Sequence, residues 1–107
     1  MDTSNNENEV VEFESLRLNT MSRKVHVEDA VIILRNKEFT LLEYFLRNAD
    51  RVLSRTQILE DVWDRNILCS TNTVDVHVSK LRKILRQYTG KSLIRTVPCI
   101  GYIVESY

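Results

Sequence analysis

Between Glu38 and Asn48 the apolar residues Phe39, Leu42, Phe45 and Leu46, followed by Ala49, recur at spacings of three and four, the mark of one helical face. A second helix is predicted from Ser54, whose hydroxyl can form a capping box with Gln57; it buries Ile58, Leu59 and Val62 and ends near Trp63. The polar run from Asp64 to Ser70 reads as a loop. Beyond it, Val74, Val78, Leu81, Leu85 and Tyr88 form the apolar stripe of a third helix. That helix is capped by Ser70 or Thr71, runs from near Thr71 to about Tyr88 and closes at a left-handed Gly90. Three extended segments rich in Val, Ile and Leu, near 11–18, 24–28 and 31–34, precede the helices. The polar turns between them, Asn19-Thr20-Met21-Ser22 and Glu28-Asp29, predict an antiparallel sheet. Leu93 to Val97 and Tyr102 to Glu105 flank Pro98-Cys99-Ile100-Gly101 as a hairpin. The predicted class is α+β, in the order sheet, three helices, hairpin.

Residues 1–10 are polar and acidic and cannot bury a core, so they read as a flexible linker or cloning remnant, with 11–107 as one domain. A chain of 107 residues with 43% apolar and 28% charged residues has the balance of a single folded unit. Its bases and acids cancel at 15 each, but unevenly: residues 1–15 hold five acids and no base, and residues 79–95 hold six bases and no acid. Cys69 and Cys99 lack metal-ligand or disulfide-framework spacing, so no metal site is expected and both thiols are read as reduced. No basic leader and no run of about eighteen apolar residues occurs, so the expectation is a cytoplasmic protein off the membrane. No nucleophile stands beside a base in a known motif, no Gly-rich phosphate loop exists, and His26 and His77 lie on unrelated elements. Neither an enzyme nor a cofactor is expected.

The third helix carries the candidate chemistry. At about 100° per residue, Asn72, Val76, Ser79, Lys80, Lys83 and Arg86 fall opposite its apolar stripe. Val76 is apolar where a solvent face is normally polar, and a thymine methyl would suit it. Lys80, Arg82, Lys83 and Arg86 face one acid, Asp75, which the sequence places in the first turn, favoured by the helix dipole. Such a helix can enter a DNA major groove about 12 Å wide. A solvated basic face carries the same charge pattern, and charge alone does not choose between the two.

The run Thr73-Val74-Asp75-Val76-His77-Val78-Ser79-Lys80-Leu81-Arg82-Lys83-Ile84-Leu85 resembles the recognition helix of OmpR/PhoB-type response-regulator effector domains. Glu38 to Tyr44, Val52 to Leu59 with Val62-Trp63, Arg95-Thr96-Val97 and Gly101-Tyr102 extend the resemblance over about residues 11–107. It implies a winged helix-turn-helix: a four-stranded N-terminal sheet, three helices and a C-terminal hairpin wing, acting on double-stranded DNA as the output domain of a two-component response regulator controlling transcription. By the same resemblance Val76, Ser79 and Lys80 fall where family members approach bases, and Asn72, His77, Arg82, Lys83 and Arg86 on or beside the groove walls. Arg55, Trp63, Thr73, Thr96 and Tyr102 match positions used to grip phosphates, contacts that position a protein without reading sequence. His77 also fits a partly buried structural histidine, Trp63 a residue shared with the core, and Tyr102 one that packs the wing.

The family pattern further implies RNA polymerase contact through the loop 64–70, where a plain connector is the preferred reading, and a head-to-tail dimer on direct repeats. It also implies a receiver domain; 107 residues do not hold both, so the chain is read as an excised effector domain in preference to a stand-alone regulator. Three departures alter expectation. Pro98-Cys99 stands where the family usually has Arg-Gly, and Ile103 where Arg is often found, so the wing loses its cationic tip and minor-groove reading with it. Ser79 replaces a common arginine, removing a bidentate guanine contact. Arg35 stands where Thr or Ser is preferred, so the first helix is expected to cap at Asn36. The depleted wing also admits a winged helix used for protein–protein interaction.

Overall fold

The computed structural model of the 107-residue chain describes residues 10–63 and 70–106. Four antiparallel strands come first: β1 (Val10–Phe13), β2 (Leu16–Asn19), β3 (Lys24–Val27) and β4 (Ala30–Ile32), hydrogen-bonded in that order. Phe13, Leu16, Leu18, Val25, Val27 and Ile32 point inward, while Glu12, Arg17, His26 and Val31, paired across the strands, form an outer row. The segment expected as one strand over 11–18 is therefore two. Glu14 takes a φ of 55° and turns the chain at Glu14-Ser15, a pair with neither Gly nor Asn to announce it.

Three helices follow: α1 (Asn36–Arg47), which lies against β1, α2 (Arg55–Val62) and α3 (Thr71–Thr89). The inward residues of α1 are Phe39, Leu41, Leu42, Phe45 and Leu46, and α1 touches β1, α2 and α3. Its cap does not move to Asn36. Arg35 holds the N-cap position without a side-chain hydrogen bond, and Asn36 Oδ1 accepts instead from Arg23 Nη2 at 2.7 Å. The Arg23 guanidinium also lies 4.4 Å from the Phe39 ring centroid, which ties the β2–β3 turn to the helix. The start of α2 follows expectation: Ser54 Oγ accepts from the Gln57 N–H at 3.0 Å.

Val74, Val78, Leu81 and Leu85 of α3 are buried, and the helix stops at Gly90 with φ 74°. Tyr88, expected in the stripe, is 44% exposed. The stripe closes at Leu85, and after Gly90 the next core side chains are Leu93 and Ile94. Asp75 is also not in the first turn: with Thr71 as the first helical residue it is fifth, beyond the reach of the dipole at the terminus. The loop expected over 64–70 falls, except for Ser70, outside the described residues, as does Cys69.

The chain ends in a hairpin, β6 (Ile94–Val97) and β7 (Gly101–Val104), and β7 also pairs with the two-residue strand β5 (Leu53–Ser54) ahead of α2. This three-stranded sheet in the order β5-β7-β6 seats the wing against the helix-turn-helix. At its tip the Ile100 N–H donates to the Val97 carbonyl at 3.0 Å and Cys99 has φ 65°. Proline at the second and positive φ at the third of four residues is the type II turn signature.

Candidate nucleic-acid interface

The amphipathic packing of α3 turns one whole face outward. Asn72, Val76, Ser79, Lys80, Lys83 and Arg86 are all exposed, as helical spacing predicts, and Val76 is 50% exposed with no core to enter. Among the described residues nothing hydrogen-bonds or ion-pairs with Lys80 or Lys83, so both ammonium groups face solvent. Arg86 is engaged with Ser92 Oγ, which accepts from its Nη2 at 2.7 Å.

Beside this face, five side chains from four elements form a continuous polar chain. Arg55 Nε, at the start of α2, donates to Asp75 Oδ1 of α3 at 2.9 Å, and the Tyr102 hydroxyl of β7 donates to the same oxygen at 2.6 Å. The Tyr102 ring centre lies 6.0 Å from the Arg55 guanidinium carbon and 5.7 Å from that of Arg82. Arg82 Nη2 then donates to Thr96 Oγ1 of β6 at 2.9 Å. Partial burial pushes the Asp75 carboxyl upward, but the hydrogen bonds from Tyr102 and Arg55 and the charge of Arg55 outweigh it and hold the group below the usual carboxylate range. Burial, reinforced by the bond to Asp75, raises the Tyr102 phenol above its ordinary value. Tyr102 is only 6% exposed, so it underlies this wall.

A second cluster sits at the end of α2. Trp63 is largely buried and meets His77 edge-on, ring centroids 5.1 Å apart, while Lys37 Nζ lies 5.5 Å over the indole and donates to the Val62 carbonyl at 3.3 Å. His77 Nδ1 is 2.9 Å from the Thr73 carbonyl; that carbonyl can only accept, so the hydrogen is on Nδ1 and Nε2 is left for an outside partner. Lys37 and Asp75 are the members of the site that sequence reading missed in these roles. Nothing at position 37 announces a partner 25 residues on, and Asp75 invited a helix-dipole explanation that sufficed locally.

At the wing tip Pro98, Cys99 and Ile100 are exposed and Cys99 is a free thiol. Ile103, which stands where the family often has Arg, is 5% exposed and pairs with Arg95 across the hairpin. The nearest wing cation, Arg95, is spent on Glu105 at 2.9 Å. Among the described residues no group of His, Cys, Asp and Glu could hold a metal ion, and no helix is long and apolar enough to cross a membrane.

Residues 27–104 match the family described as "Transcriptional regulatory protein, C terminal". The chain belongs to this family. It is 43% identical over 90 residues to the transcriptional regulatory protein CusR of Escherichia coli K12, a match covering 84% of this chain and 40% of that protein. Against the phosphate regulon transcriptional regulatory protein PhoB of Klebsiella pneumoniae the identity is 37% over 94 residues, covering 88% and 41%. The chain thus spans about two fifths of the length of these curated relatives. Among solved structures, the DNA-binding domain of E. coli CadC superposes with a TM-score of 0.82 at 26% identity, covering 92% of both chains. The winged helix-turn-helix, with three helices between a four-stranded sheet and a hairpin wing, is therefore that of an OmpR/PhoB-type effector domain. At family level this is a DNA-binding output domain of transcription control.

Proposed function

We propose that α3 lies in the major groove of double-stranded DNA as the sequence-reading element of a cytoplasmic two-component response regulator, a binding module and not an enzyme. The observation that carries this is the exposed outer face of α3, with Val76, Ser79 and Lys80 side by side and no partner among the described residues for Lys80 or Lys83. In this reading Val76 meets a thymine methyl and Ser79 and Lys80 reach base-edge acceptors. Arg55, Asn72, Thr73, His77, Arg82, Lys83, Arg86 and Thr96 grip the phosphates of the groove walls, with Trp63 behind His77. Tyr102 serves from beneath by carrying Arg55 and Arg82. The parent protein adds a receiver domain, and two copies bind head-to-tail, which half-site spacing in selected DNA would reveal.

Selection of bound duplex from a random pool supplies the probe. Lys80→Ala is expected to weaken binding to the selected duplex by about 1–3 kcal/mol and to relax its sequence preference. Equal weakening on a scrambled duplex would remove the base-reading role. The wing tip offers a second test. Pro98 sits at the second position of its turn, where Arg adopts the needed backbone without strain. Pro98→Arg should therefore tighten binding to an A·T-flanked site by about 1 kcal/mol through one charge-assisted minor-groove contact. An unchanged titration would show that the wing does not lie on the duplex.

A further inference from the structure

Asp75 is an acid in the middle of a surface that otherwise suits a polyanion. Its side chain is 35% exposed, so it stands close enough to the surface to repel phosphate, and on charge alone it opposes the binding proposed for α3. What it does instead is geometric. One oxygen, Oδ1, receives both the Arg55 Nε–H from α2 and the Tyr102 hydroxyl from β7, so three elements meet at a single acceptor. Arg82 extends the chain: its Nε is buried with no partner among the described residues, and its guanidinium is held by Thr96 and by the Tyr102 ring that Asp75 holds.

Resting on the DNA reading above, we propose that Asp75 is a positioning residue for sequence-specific binding: it fixes the wing strand against α3 and aims Arg55, and through Tyr102 also Arg82, at the groove walls. A carboxylate doing only this has an unusual signature. Removing its charge loosens the specific complex while leaving non-specific attraction to phosphate equal or stronger, because one repelling charge has gone. A residue that merely supports the fold would weaken both together.

The test titrates the 107-residue protein with two duplexes of equal length and composition: one recovered from a random pool by the wild type, the other its scrambled counterpart. Asp75→Asn is expected to weaken binding to the recovered duplex about tenfold, while affinity for the scrambled one is unchanged or higher. Tyr102→Phe removes only the hydroxyl and no charge, and should lower affinity for the recovered duplex alone. Should Asp75→Asn lack a wild-type melting curve, Tyr102→Phe decides by the same comparison. Binding of the recovered duplex as tightly as the wild type, or an equal loss on both duplexes, overturns the proposal. A wild type that binds neither duplex overturns the DNA reading itself, and that result is in hand before any variant is titrated.

Discussion

Raising the salt concentration from about 50 to about 200 mM is expected to weaken binding of this domain to duplex DNA by about a thousandfold. The cations available to α3 and its flanks, Arg55, Lys80, Arg82, Lys83 and Arg86, suit about five phosphates. Each neutralised phosphate releases condensed counterion, so log affinity should fall against log salt with a slope of about −5. The net charge of the chain is zero, which makes the prediction a strict one. A steep slope can come only from the segregation of bases to the C-terminal half. A winged helix that engaged a protein through Val76 and Ile100 would show a far shallower dependence, and a slope near −1 would favour that reading.

The second large effect concerns how the wing is held. Gly101 pairs with Ser54 where β7 meets β5, and a Cβ built there would stand 1.9 Å from the Leu53 carbonyl oxygen and 2.9 Å from the Ser54 Cα. Both obstacles are backbone, so no rotamer change relieves the clash and the strands must separate. Separation exposes Leu53 and Tyr102 and breaks the sheet that seats the wing. Gly101→Ala is expected to cost on the order of 4 kcal/mol, a large share of the stability of a domain this size, read as a fall in the urea midpoint. An unchanged midpoint would mean that β5 and β7 do not approach this closely.

Both predictions reach the interface through different routes, and they differ in how far they were foreseeable. The outward-facing charge was visible in the spacing of Lys80, Lys83 and Arg86 along one helix. Gly101 was visible only as part of a predicted hairpin. Nothing in the residues around it reveals that the partner strand is Leu53–Ser54, some fifty positions earlier.

The sequence by itself determined the elements whose cause is local. Spacings of three and four place α1 and α3 within a residue or two of their observed limits, Ser54 caps α2 through a neighbouring N–H, and Gly90 takes the left-handed stop. The outward face of α3 follows from the same periodicity, because burying Val74, Val78, Leu81 and Leu85 leaves Val76, Ser79 and Lys80 nowhere else to point. Resemblance to a known family supplied the rest of the expected site as a set of positions, without their contacts. Only the tertiary structure decided that Glu14 divides one expected strand into two, that Tyr88 lies outside the core, and that Asp75 binds Arg55 and Tyr102 across 20 and 27 residues. Helical phase is set by backbone geometry that every stretch of chain carries within itself. A side-chain bond between distant residues depends on where packed layers bring their backbones, and no local pattern of polar and apolar residues encodes that distance.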